Sequence, residues 1–283
     1  MRLVTYRSKK EEKPAAGLLI EEKVYPLGAA GYADTLSLIA AGAEAWQKAA
    51  ETVRRADGTP VAEVQLMAPL LNPPRIFCVG LNYRDHAAES KMAVQKVPTI
   101  FMKLASAIVG SEAEIVLPSN STQPDYEAEL AIVIGKHASH VTRENWQDCI
   151  FGYTILNDVS ARDVQLATSQ WTLGKSYPTF CPVGPWIVTA DEIQDPHALE
   201  IRLTIDGETM QQANTRDLIF DIPAVLAYIS SIVPLEPGDI VSTGTPQGVG
   251  LGRTPHRWLQ PNEEVVIEIS GIGRLSNHTV AGK

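Results

Sequence analysis

The chain has 283 residues, 45% hydrophobic and 20% charged, enough apolar material for one large domain or a domain with a smaller appendage. A formal net charge of −9 and the lack of any Lys/Arg stripe argue against a nucleic-acid partner, because phosphate binding needs clustered cations. The longest apolar stretch, 222–235, contains two serines and two prolines and is too short to span a bilayer, so no membrane partner is expected.

Residues 1–13 are polar and charged, without the apolar centre of a secretion signal. Three widely spaced cysteines, Cys78, Cys149 and Cys181, suit neither a disulfide framework nor a zinc site. They read as small buried hydrophobes in a reducing cytosol, so a cytoplasmic location is expected.

Residues 1–70 read as a small N-terminal α+β module. Segments 17–21 and 23–27 are two short strands of a hairpin. Asp34 or Thr35 caps a helix running to about Asp57, with Leu36, Ile39, Ala40, Ala43 and Trp46 on one face, and Asp57-Gly58 stops it. Asn72-Pro73-Pro74 makes a stiff boundary, since proline biases its predecessor away from helix. Beyond it, strand-like runs at 76–79, 130–134, 151–156, 186–189, 201–205, 240–243 and 265–269 alternate with Gly and Pro breaks. Helices are expected only at 143–150, 160–169 and 222–232. Most of these strands are not separated by the helices a doubly wound sheet needs, so the fold class is predominantly β with peripheral helices, an α+β chain.

The clearest chemical signal is the run Asp125-Tyr126-Glu127-Ala128-Glu129-Leu130, which opens a buried strand. Glu127 and Glu129, two apart, share a strand face. Carboxylates converging there repel unless a proton or cation lies between them, and Mg²⁺ or Mn²⁺ prefers such oxygen ligands, as does Ca²⁺. A lone Glu-x-Glu is more often a solvated strand end. Here a second apolar strand leads straight into Asn157-Asp158, which offers Asp158 as a third ligand. Arg162 and Gln165, three apart on the following helix, share a face, and Arg suits a carboxylate partner. His86 and Glu89 lie side by side on a short helix, where the acid orients the imidazole so that the pair can activate water. The polar stretch 90–98 that follows is expected to act as a lid. His137 and His140 are expected to face solvent, and the glycines of 244–250 to make tight turns against the site, since no phosphate-loop Lys follows them.

The ordered motifs Gly80-Leu81-Asn82-Tyr83, His86-x-x-Glu89, Asp125-Tyr126-Glu127-x-Glu129-Leu130, Asn157-Asp158-Val159-Ser160-Ala161-Arg162-Asp163, Leu173-Gly174-Lys175 and Thr243-Gly244-Thr245-Pro246-x-Gly248-Val249-Gly250 resemble the fumarylacetoacetate hydrolase family over roughly 75–280. That resemblance implies a mixed β-roll spanning 71–283 as the catalytic domain, usually a homodimer. It implies a divalent metal on Glu127, Glu129 and Asp158, with His86 and Glu89 on a closing lid and Lys175, Arg162, Gln165 and Thr245 around a small 2-oxo acid substrate. One departure stands out: many members carry Phe-Asp after Gly-Lys-x, where this chain has Tyr177-Pro178.

The chemistry expected is hydrolysis of a C–C bond in an acylpyruvate or related 2,4-dioxo acid through a metal-stabilised enolate, in a setting such as aromatic catabolism. Lys175 adds positive charge at the developing oxyanion, and His86 with Glu89 activates the water. Oxaloacetate decarboxylation or isomerisation of a 2-hydroxy-diene-dioate is the alternative, because fold and metal site do not choose among them. A non-catalytic metal- or ligand-binding protein on the same scaffold is the alternative of a different class.

Overall fold

A computed structural model describes residues 1–8, 13–89 and 95–283. Among the described residues, twelve strands form one mixed sheet and five form a second. The centre of the large sheet is the strand Ala128–Ile134, paired antiparallel with Ile150–Asn157 on one side and with Ile240–Ser242 on the other. Ile240–Ser242 runs parallel to Ile76–Gly80, which pairs antiparallel with Thr99–Lys103 at the edge.

The Ala128–Ile134 strand is buried on both faces, and the two-residue period of a strand divides its side chains. Ala128, Leu130, Ile132 and Ile134 join a core with Ile201, Leu203, Val265 and Ile267 of the five-stranded sheet. Ala131 and Val133 join a second core with Leu3, Leu38, Ile76 and Phe151. Glu129 has the odd parity of Ala131 and Val133, so it ends the second apolar row with a carboxylate.

The predominantly β architecture with few helices is the one expected. The N-terminal hairpin forms as Ala15–Ile20 and Lys23–Pro26, and Arg2–Ser8 carries it onto the large sheet by pairing with Cys181–Thr189. The stretch expected as a small module thus continues the main sheet and shares its second core.

Three expected helices are shorter than their periodicity suggested. The first splits into Thr35–Ala40 and Ala43–Val53, because Gly42 takes a positive φ of 86° between them; Asp34 caps the first half as expected. In 143–150 only the 3₁₀ turn Trp146–Cys149 forms, since Ile150 is needed in the ladder opposite Ile134. In 160–169, Ser160–Ala161 pairs with Pro124–Asp125 and the helix is confined to Arg162–Gln165. There Gly174 returns so close that a Cβ on it would lie 2.4 Å from the Gln165 backbone nitrogen. The helix Ile222–Ser230 forms as expected, with Asp221 accepting the Ala224 N–H as its cap. No helix among the described residues is long and apolar enough to cross a membrane.

Candidate active site

Asp158 follows directly on Ile150–Asn157, and its N–H donates to the Glu127 carbonyl across the ladder. That register brings Glu127, Glu129 and Asp158 together, with one carboxylate oxygen from each lying within 4.8 Å of the others. The short helix Arg162–Gln165 and the loop carrying Lys175 close over them, and Arg84–Glu89 brings His86 to the same cleft. Of the nine site residues expected from the sequence, His86, Glu127, Glu129, Arg162, Gln165, Lys175 and Thr245 line this cleft, while Glu89 and Asp158 stand behind it, bonded to His86 and Lys175. The cleft is tight, with a cavity volume of about 30 Å³.

The floor is a buried charge network. Lys175 Nζ donates to Glu127 Oε2 at 2.7 Å and to Asp158 Oδ2 at 2.8 Å. Arg162 donates through Nη2 to Glu127 Oε1 at 2.6 Å, through Nε to Asp125 Oδ2 at 2.8 Å and through Nη1 to Gln165 Oε1 at 2.9 Å. The guanidinium expected to grip a substrate is thus already engaged on the protein's own acids. Lys103, which the sequence did not single out, donates to Asp158 Oδ1 at 2.7 Å, to the Val159 carbonyl at 3.1 Å and to the Lys175 carbonyl. Its strand Thr99–Lys103 offered one signal, an apolar run ending in a lysine.

Four carboxylates, Asp125, Glu127, Glu129 and Asp158, thus face three cations, and none of the seven is more than 4% exposed. Burial would raise Glu127, yet the charges of Lys175 and Arg162 outweigh it and hold this carboxyl well below its ordinary range. Glu129 goes the other way, driven up by burial and by Asp158 and Glu127 beside it. Its Oε2 accepts only neutral donors, Ser242 Oγ at 2.5 Å and the Gly244 N–H at 2.9 Å. Among the described residues it is the carboxylate of this cluster with no cationic hydrogen-bond partner. An all-oxygen donor set with one anion uncompensated fits a hard divalent cation.

The glycine-rich stretch 244–251 receives carboxylates rather than phosphates. Its backbone N–H groups donate to Glu129 from Gly244, to both oxygens of Glu89 from Gly248 at 3.0 Å, and to Asp125 from Gly250 at 2.7 Å and Leu251 at 2.9 Å. Gly244 and Gly248 hold φ of 101° and 98°, where a side chain is strained. Thr245 Oγ1 accepts from Gln211 Nε2 at 2.9 Å, while Gln211 Oε1 accepts the Ala128 N–H, so Gln211 ties the second sheet to the site. Sequence alone offers no signal for Gln211.

His86 Nδ1 lies 3.1 Å from Glu89 Oε1, as their spacing on a helix requires. Of the stretch 90–98 expected as a lid, residues 90–94 lie outside the described residues. Tyr177, at the Phe-Asp departure, packs on the core beside Phe180 and does not line the cleft. His137 and His140 are exposed as expected, and His197 Nε2 accepts the Ile222 N–H. The three thiols are buried and free; burial pushes Cys149 up to about 11 and Cys181 up to about 12, which suits packing rather than reactivity.

The central strand thus opens on three buried carboxylates that could hold a hard divalent cation, with a His–Glu pair beside them. Residues 75–280 match the family model for the fumarylacetoacetate (FAA) hydrolase C-terminal domain. A mitochondrial oxaloacetate tautomerase of Xenopus laevis is 45% identical over 221 residues, which is 77% of this chain and 69% of that protein. The solved fumarylacetoacetate hydrolase of Exiguobacterium antarcticum matches with a TM-score of 0.88 at 34% identity, each chain covered in full. The maleylpyruvate hydrolase of Sphingobium, solved with manganese(II) and pyruvate, matches with a TM-score of 0.85 at 33% identity, again over the whole of both chains. The chain belongs to the fumarylacetoacetate hydrolase family and is an enzyme. These findings also correct the cytoplasmic expectation: curated relatives, including those of Xenopus laevis, Bos taurus and Homo sapiens, are named as mitochondrial, and buried cysteines do not distinguish one reducing compartment from another.

Proposed function

We propose that this enzyme cleaves a C–C bond of a small acylpyruvate by hydrolysis, with the pyruvate half leaving as an enolate. The observation that carries the proposal is His86, oriented by Glu89, lining the same cleft as Glu127 and Glu129, beside which Asp158 completes the cluster. The three carboxylates would hold a divalent ion, and such an ion supplies Lewis acidity toward a substrate oxygen. The manganese and pyruvate in the Sphingobium maleylpyruvate hydrolase support Mn²⁺ as the first ion to try, with Mg²⁺ second.

The chain's own residues then divide the work. Glu89 accepts from Nδ1 of His86, which leaves Nε2 to take a proton from water. Lys175, buried and held charged by Asp158 and Glu127 against the effect of burial, adds positive charge where the oxyanion develops. Arg162 keeps Glu127 aimed, and Gln165 and Thr245 line the cleft for substrate contacts.

The relatives named oxaloacetate tautomerases favour a second reading, in which the same base moves the C3 proton of oxaloacetate and no water attacks. A panel of acetylpyruvate cleavage and oxaloacetate keto–enol exchange, each with Mn²⁺, decides between them. Rapid exchange without cleavage would replace hydrolysis by tautomerisation, and neither activity would reject both. A homodimer is part of the proposal, supported by the exposed leucines Leu104, Leu166 and Leu173, of which Leu166 lines the cleft. Light scattering that gives a single 30.7 kDa species at all concentrations would count against it.

A further inference from the structure

We propose that Gly252 is a positioning residue, whose missing side chain leaves the space in which Glu89 docks and thereby orients His86. The proposal rests on the His86–Glu89 reading above. Glu89 is reached from the far end of the chain: both its oxygens accept the Gly248 N–H at 3.0 Å, and Oε1 also meets His86 Nδ1 at 3.1 Å. A Cβ on Gly252 would stand 2.5 Å from Glu89 Cδ and 2.6 Å from Oε2, closer than atoms in contact allow. Gly252 does not have a positive φ, so alanine meets no backbone objection there and acts through this one contact.

Which partner yields is decided by how each is held. The loop is pinned: Gly250 donates to Asp125, a Cβ on Gly250 would lie 2.1 Å from the Arg257 carbonyl, and Arg253 bonds both the Gly248 and the Met210 carbonyls. Glu89 is the free end of a side chain with three rotatable bonds. Alanine at Gly252 therefore expels the carboxylate, which gives up the Gly248 N–H and the imidazole together. Helix Arg84–Glu89 loses its tie to the loop, and His86 loses the acceptor that sets its tautomer.

The test is a double-substitution cycle in the full chain with Mn²⁺ and acetylpyruvate, joined to amide hydrogen exchange over 84–89. Gly252→Ala should lower kcat by about 10²-fold, approaching Glu89→Ala, with KM changed by less than about threefold. In the Glu89→Ala background the Gly252→Ala change should be silent, because it acts only through the missing carboxylate. Exchange over 84–89 should be faster in Gly252→Ala, while Mn²⁺ affinity by calorimetry stays unchanged. Losses that multiply in the double variant, or unchanged exchange over 84–89, would overturn the proposal. If Glu89→Ala itself keeps full turnover, the dyad reading fails instead, and the exchange measurement alone judges the contact.

Discussion

Replacing Lys103 by methionine takes a cation from the most charged part of the interior while roughly preserving side-chain volume. The ammonium is fully enclosed and donates to Asp158 Oδ1, to the Val159 carbonyl and to the Lys175 carbonyl. Removing one partner of a buried ion pair typically costs about 3–5 kcal/mol, because the remaining charge stays in a medium that solvates it poorly. The same substitution leaves two carbonyls without this donor, a buried acceptor left unpaired typically costing about 1–3 kcal/mol. These terms share one donor and do not sum, so a total of about 3–5 kcal/mol is expected. For a chain of this length that corresponds to a fall of roughly 6–10 °C in Tm. With Lys103 gone the cluster is more negative, so Mn²⁺ should raise the stability of the variant more than that of the unaltered protein. Urea unfolding of metal-stripped protein, followed by circular dichroism and repeated with Mn²⁺, measures both effects. A loss below about 1 kcal/mol, or a smaller gain from Mn²⁺ than in the unaltered chain, would refute the reasoning, since it would match an ordinary substitution.

Glu127→Gln and Asp158→Asn should each abolish Mn²⁺ binding by calorimetry, because each removes a negative oxygen ligand; unchanged affinity in both would reject the ligand set. His86→Ala and Glu89→Ala should each lower acetylpyruvate turnover by about 10²–10⁴-fold, with the double variant little worse, since the pair acts as a unit. Near-normal cleavage by both single variants would remove the dyad from the mechanism. Asp221→Ala should cost about 1 kcal/mol at neutral pH through the lost helix cap, its partly exposed Arg143 pair adding little. Burial alone would raise Asp221, but Arg143 and the Ala224 N–H hold it below its ordinary value. A depressed carboxyl stabilises the fold above its unfolded-state value and loses that contribution as pH falls through the depressed one, so the variant and the unaltered chain should converge in acid. A stability difference that persists unchanged to about pH 2 would contradict this account.

Much of the candidate site's grouping was legible along the chain because it depends on backbone periods. Two residues along a strand return to one face, which put Glu127 with Glu129; three along a helix return to one side, which paired His86 with Glu89 and Arg162 with Gln165. Asp158, standing just after an apolar strand, could be placed at a sheet end for the same reason. The β-rich class followed from short apolar runs between Gly and Pro breaks.

Lys103 was missed because a lysine ending a strand ordinarily reaches water. Its burial is decided by the register Ile76↔Lys103 and by Asp158, which arrives from 55 residues away. The same holds for Gln211, whose partners Ala128 and Thr245 belong to other elements, and for the amides of 244–251, whose donors carry no side-chain signature. The helix at 160–169 stopped early because Gly174 crosses it, a contact no local pattern encodes. Sequence by itself determined which side chains share a face, since that is geometry repeated along the backbone. Only the tertiary structure decided which charge meets which, because a buried ion pair depends on two distant segments arriving together out of water.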